Sequence, residues 1–244
     1  MQEQYSKERC VEVLRTALFS ANITLDDRQV ELLATHLLLV IQKNEHVNLT
    51  RITSFEEGAY LHVVDSLLLW PSFEAAPAGK FVDIGTGAGF PGIPLAIATG
   101  RKALLVDSVG KKVHAVSEFV QQLGLANKVQ ARQARIEPLG KELRGQFAVV
   151  CARAVAQTNV LVEYATPLLC KGGRLVVAKA RPTKEELDAA NEAARICGLR
   201  CVSRETYQLP CDRGHREILS YERVGNPSIK LPRAVGMAKH HPLA

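Results

Sequence analysis

The stretch Phe81-Val82-Asp83-Ile84-Gly85-Thr86-Gly87-Ala88-Gly89-Phe90-Pro91-Gly92 constrains the fold more than any other part of the chain. A short apolar strand runs into a glycine-rich turn, and a helix pattern follows around Ile93–Ala98. Glycines let the main chain turn tightly and let a ligand approach the backbone with no Cβ in the way. A loop this dense in glycine is built to hold something. Gly85 and Gly87 are the candidate ligand-facing positions.

The rest of the chain supplies the sheet that such a loop needs. Strand patterns at Ala103–Asp107, Lys128–Ala131, Phe147–Cys151 and Arg174–Lys179 alternate with helix patterns at Lys111–Leu123, Asn159–Leu169 and Thr183–Cys197. Such alternation predicts a parallel sheet covered on both faces. Cys201–Leu209 and Glu217–Arg223 have no helix between them, so they predict an antiparallel hairpin at the sheet edge. Gly172-Gly173 reads as the turn into the fifth strand.

Residues 1–75 read as helices. Val11, Leu14, Ala17 and Leu18 make one apolar stripe, and Val30, Leu33, Leu37, Val40 and Ile41 make another, behind the cap pair Asp26-Asp27. Ser54-Phe55-Glu56-Glu57 has capping-box form and opens a third helix through Leu68, which Pro71 and Pro77 are expected to stop. The expected division is a helical extension over 1–75, a core over 76–224, and a mostly irregular basic tail over 225–244.

Two ligands compete for the loop. Gly87–Gly92 has the form G-x-G-x-x-G, and Asp107 stands twenty residues beyond Gly87, the spacing of a dinucleotide site. Gly85, however, frames the loop as G-x-G-x-G, and Asp83 lies two residues before it. A carboxylate there repels a pyrophosphate and favours the ammonium and sulfonium of S-adenosylmethionine. Asp107, at the end of the second strand, then accepts from the ribose hydroxyls.

Charge points to the partner. The net charge of +6 is uneven: −5 over 1–75, +5 over 76–150, +2 over 151–222 and +4 over 223–244. That distribution suits an anionic partner, nucleic acid first. Candidate RNA contacts are Lys179 at the end of the fifth strand, Arg213 and Arg216 in the hairpin turn, and Arg233 and Lys239 in the tail. The six cysteines have no CxxC spacing and no histidine at metal-ligand distance, so no metal site is expected. No apolar run reaches membrane-span length, and the polar start is neither a secretory signal nor a transit peptide, so a cytoplasmic location is expected.

The residues Asp83–Pro94, with Asp107-Ser108 and Gly110-Lys111-Lys112, resemble the glucose-inhibited division protein B family. Asn48-Leu49-Thr50, the H-x-x-D-S-L run from His62 to Leu67, Cys151–Ala154, Gly172–Leu175 and the tail prolines extend the resemblance over nearly the whole chain. It implies a Rossmann-like class I methyltransferase that uses S-adenosylmethionine on N7 of a guanine in the decoding-region loop of bacterial 16S ribosomal RNA, guanine 527. It further implies cofactor contacts at Gly85, Phe90, Ile136, Glu137 and Arg153. A monomer acting on a small-subunit or precursor particle is expected. Ala152, Ala180 and His215 depart from the family pattern, the last replacing an acid.

A guanine N7 lone pair attacks a sulfonium methyl without a general base, so no catalytic acid or base is expected, only positioning. Arg153 follows a buried strand and must be paired, with Asp83 or Glu137 as structural partners or with the ligand. His62 and Asp65 share one helical turn and suit packing as well as function. Two other readings stay open from the residues alone: a nicotinamide oxidoreductase and a non-catalytic RNA-binding module.

Overall fold

The computed structural model describes residues 6–244. Two helices come first, α1 (Lys7–Ser20) and α2 (Asp27–Asn44). Asp26 caps α2 by accepting from the Gln29 N–H, and the Gln29 side chain returns the bond. The third helical stretch is broken into α3 (Phe55–Gly58), a π-helical turn (Ala59–Val64) and α4 (Asp65–Leu67). Pro71 does not end the helical region. It sits in the first turn of a further helix, α5 (Trp70–Glu74), where its missing N–H is no loss.

The α/β part runs β1 (Phe81–Ile84), α6 (Gly92–Thr99), β2 (Ala103–Asp107), α7 (Gly110–Gln122), β3 (Val129–Gln133), α8 (Ile136–Glu142), β4 (Phe147–Arg153), α9 (Thr158–Ala165), β5 (Leu169–Lys179), α10 (Lys184–Cys197), β6 (Leu199–Gln208) and β7 (His215–Arg223). One seven-stranded sheet has the order β3-β2-β1-β4-β5-β7-β6. Its first five strands are parallel, and β7 is antiparallel to both neighbours. This is the Rossmann-like class I methyltransferase arrangement, with the expected edge hairpin. The order reverses between β1 and β4, the switch point where open α/β sheets bind ligands.

Two further details differ from the sequence reading. The short helix α8 was not expected. The pair Gly172-Gly173 is not a turn: β5 runs through it, with a register shift against β4 between Phe147 and Val149. A Cβ on Gly173 would lie 3.0 Å from the carbonyl oxygens of Cys170 and Phe147, so glycine permits the close strand approach at the irregularity.

Strand alternation divides the core into two layers. Phe81, Leu105, Val149, Cys151 and Val176 pack against α1, α2, α6 and α7. Val82, Ile84, Val106, Val150 and Val177 pack against α9, α10 and Leu231 of the tail. The N-terminal helices thus pack with α6 and α7 on one side of the sheet. The tail is irregular except for α11 (Met237–His240), and it lies against α9.

Candidate active site

The loop after β1 is held from below by two carboxylates. Asp83 is fully buried, and its Oδ2 accepts from the Gly92 N–H at 2.9 Å. A Cβ on Gly92 would meet Leu105 Cδ2 at 2.2 Å and Asp83 Oδ2 at 2.7 Å. The first N–H of α6 therefore belongs to Asp83, and a pyrophosphate has no place at this helix end. That removes the nicotinamide reading despite the G-x-G-x-x-G spacing. Burial raises the Asp83 carboxyl to about 6, against the pull of the nearby Thr86 hydroxyl, the Gly92 N–H and the Arg153 charge.

Asp107 holds the other side of the loop. Its Oδ2 accepts from the Gly87 N–H at 3.1 Å and its Oδ1 from the Val109 N–H at 2.9 Å. Each oxygen keeps a second lone pair for a ligand hydroxyl. Gly87 has φ 60°, and a Cβ there would meet nothing within 4 Å. Gly85 has φ 75°, and a Cβ there would lie 2.5 Å from Val155 Cγ2.

A cavity of about 320 Å³ opens beside this loop. Gly85, Asp107, Ile136 and Glu137 line it as expected, joined by Ser108, Tyr164 and Lys239. The lining offers a nucleoside acceptors at Asp107 and Glu137, an apolar wall at Ile136 and Val155 and an open glycine turn, with the cations Lys112 and Arg135 also at the cavity wall.

A second cavity, of about 540 Å³, shares Ala154 with the first. Arg153, Lys179, Arg181 and Arg216 face Asp65 and Glu186 across it, four cations against two acids. Arg153 is not in the first cavity, and it pairs with neither Asp83 nor Glu137. It shares the strand face of Val149 and Cys151, which packs on the N-terminal layer, and that parity aims it at His62 and Asp65. Its Nη1 donates to Asp65 Oδ2 at 2.9 Å and to the Leu61 carbonyl at 3.1 Å. Arg216 Nε donates to the other Asp65 oxygen at 2.7 Å.

The π-helical turn has a use here. It leaves the Leu61 and His62 carbonyls toward Arg153, and such turns recur at functional sites. Arg153 Nη2 donates to His62 Nδ1 at 3.3 Å, so the neutral ring carries its proton on Nε2 and donates to Thr50 Oγ1 at 2.9 Å. Burial first, then the Arg153 charge, lowers His62 to about 3 and keeps it neutral. The Asn48-Leu49-Thr50 element thus sets the orientation of His62.

Three other sequence candidates sit elsewhere than expected. The Phe90 side chain is buried away from the first cavity, stacked on His62 with centroids 4.5 Å apart and planes 8° apart, and tilted on His36. Only its main chain stays near the loop, because the apolar ring gains more from the N-terminal layer than from a polar mouth. Arg233 is not a free phosphate contact: its guanidinium donates to both oxygens of buried Glu163. Lys239 faces the first cavity. Lys179 lines the second but is engaged by Glu186 at 2.7 Å. Arg213 lies with its guanidinium 4.7 Å above the Tyr60 ring. His215, at the position of the missing acid, faces Glu217 at 3.4 Å.

Tyr164, Arg181 and the buttress His36 were not singled out from the sequence. His36 accepts no pattern of its own: it sits in the apolar face of α2, and its Nε2 lies 3.1 Å from the Ala88 carbonyl of the loop.

Comparison with known proteins agrees with this geometry. The family model GidB, rRNA small subunit methyltransferase G, matches residues 29–215. A Ribosomal RNA small subunit methyltransferase G from Alkaliphilus metalliredigens is 35% identical over 95% of this chain and 98% of its own length. One from Gloeobacter violaceus is 39% identical over 84% of this chain and 82% of its own. Among solved structures, cofactor-bound Rv0187 from MTB superposes with a TM-score of 0.59 at 20% identity, covering 87% of this chain and 97% of that one. The [4+2]-cyclase SpnF superposes with a TM-score of 0.56 at 14% identity, over 82% and 94%. These two share the fold. The chain belongs to the GidB family of S-adenosylmethionine-dependent methyltransferases that act on small-subunit ribosomal RNA.

Proposed function

We propose that this protein methylates N7 of a guanine, guanine 527, in the decoding-region loop of 16S ribosomal RNA, with the cofactor in the Gly85–Asp107–Glu137 cavity and the guanine in the Arg153–Arg216 cavity. The observation that carries this is the meeting of the two cavities at Ala154, one beside the glycine turn with Asp107 and Glu137 in its wall, the other holding Arg153 and Arg216. S-adenosylmethionine supplies an electrophilic methyl on a sulfonium when bound. Asp107 and Glu137 offer acceptors to its nucleoside, and Gly85 and Gly87 keep the backbone clear of it.

Guanine presents N7 and O6 as acceptors on one edge. Arg153 and Arg216, locked in place by Asp65, are donors of the right kind for O6 or a flanking phosphate. His62 stays neutral and adds no repulsion toward an electron-poor methyl. N7 needs no deprotonation, so the residues align two reacting atoms and exclude water, a contribution of several kcal/mol. The base must leave its stack, which a loop substrate permits at low cost. The same reading makes the protein a bacterial cytoplasmic monomer acting on rRNA in a small-subunit or precursor particle, since that is where the substrate is.

The test is tritium transfer from S-adenosylmethionine to small subunits, followed by chain cleavage specific for 7-methylguanine. Label that enters RNA without creating a cleavable site, or that maps outside the decoding-region loop, would overturn the assignment of N7 and of the loop.

A further inference from the structure

The tail was expected to reach RNA. Its contacts say otherwise. Leu231 is buried in the layer of α9 and α10, and Ala238 is buried as well. Arg144 donates to the Leu231 carbonyl. Arg233 Nε and Nη2 grip Glu163 on α9, and Nη2 also donates to the His241 carbonyl at 2.8 Å, so one guanidinium ties two parts of the tail to one core acid. The Gly236 N–H donates to Glu137 Oε1 at 2.8 Å. Gly236 has φ 84°, a conformation glycine adopts freely, and this aims its N–H back at α8. From the turn that follows, Lys239 reaches the wall of the first cavity.

Two buried core acids, Glu137 and Glu163, thus take hydrogen bonds from the tail. A buried carboxylate is costly unless its lone pairs are satisfied. One of the two is itself a wall of the proposed cofactor cavity. The match to the family model ends at residue 215, so this whole segment lies beyond it.

We propose that residues 231–244 form a strap that completes the cofactor cavity, with Gly236 fixing Glu137 and Lys239 contributing a donor that contacts the bound nucleoside. Arg233 is a positioning residue that acts through the strap. Docking of the strap and binding of S-adenosylmethionine are then coupled, each favouring the other by the same factor. The proposal rests on the reading of this cavity as the cofactor site, and it assigns the tail to the cofactor, not to RNA.

The experiment uses the full chain. S-adenosylmethionine affinity is measured by calorimetry for the parent, Lys239→Ala, Lys239→Arg and Arg233→Gln, and amide exchange over residues 231–244 is followed in the parent with and without S-adenosylmethionine. Lys239 is exposed, so its replacement leaves the fold intact. The expected result is at least fivefold weaker binding for Lys239→Ala at unchanged melting temperature, substantial rescue by Lys239→Arg, and slower exchange at Gly236 when S-adenosylmethionine is present. Folded Lys239→Ala that binds within twofold of the parent overturns the proposal. So does exchange at Gly236 that S-adenosylmethionine leaves unchanged. Arg233→Gln, if folded, is expected to weaken binding too; if it does not fold, the other two measurements still decide. A parent that fails to bind S-adenosylmethionine at all would instead refute the cavity assignment, and is read separately.

Discussion

At the scale of single residues, Asp83 carries the clearest energetic signature. Its carboxyl moves from 3.8 to about 6 on folding, so the native state holds a proton that the unfolded chain releases. Between these two values stability falls as pH rises, and the loss, about 3 kcal/mol, is complete above the folded pKa. Asp83→Asn keeps an acceptor for the Gly92 N–H and does not ionise. Its stability relative to the parent should therefore rise by about 2 kcal/mol from pH 4, where the unfolded carboxyl is already half ionised, to pH 7. Urea titrations at intermediate pH values check this, and a constant difference would contradict it. The comparison also cancels His36 and His62, which titrate in both proteins. Gly85 is a second case. Gly85→Val places a β-branched side chain at φ 75° and into Val155 on the cavity wall. Calorimetry should show S-adenosylmethionine binding weakened more than tenfold, about 1.4 kcal/mol; binding equal to the parent would remove Gly85 from the site.

At the scale of elements, the tail is the part whose role changed most. Its three bases, Lys230, Arg233 and Lys239, and absent acids suggested an RNA arm. In the fold Arg233 is spent on Glu163, and an arm so anchored contributes to stability. Arg233→Ala should cost about 3–5 kcal/mol, because it leaves a buried carboxylate unpaired. It should leave the slope of RNA affinity against salt unchanged. Thermal melting and filter binding across a salt series test the two halves, and a lower slope in a folded variant would restore the RNA arm. The π-helical turn is the other element that no pattern announced. Its apolar positions read as an ordinary helix, and only the approach of Arg153 shows what the widened turn accommodates.

At the scale of the whole molecule, the acidic and basic segments of the chain come together at one sheet edge. The second cavity takes Asp65 from the N-terminal layer, Arg153 from β4, Lys179 from β5 and Arg216 from β7. Its exposed approach includes Arg181, with Arg213 on Tyr60 nearby. If each touches one phosphate, Arg181→Ala with Arg213→Ala should lower the salt slope by roughly 1.4–1.8, at 0.7–0.9 per contact. Cofactor affinity should not move, since neither residue lines the first cavity. A slope equal to the parent's would place the RNA elsewhere.

The sequence alone determined what depends on near neighbours. Strand and helix periods, the caps at Asp26 and Ser54, the glycine turn and the edge hairpin are all written in spacings of a few residues, and they specify a doubly covered parallel sheet. The loop position on that sheet then places Gly85 and Asp107 at one edge, because strand ends converge at the switch point, and the family resemblance adds Ile136 and Glu137. Tertiary structure decided which charges are free. Arg153 chose Asp65 over Asp83 because strand parity and the N-terminal layer put Asp65 in front of it. Arg233 chose Glu163, seventy residues away, and Phe90 chose two histidines from different helices. Ion pairs and ring stacks of this kind join residues far apart in the chain. Their partners are selected by burial, which makes an unpaired charge too costly to keep, and no local pattern records that selection.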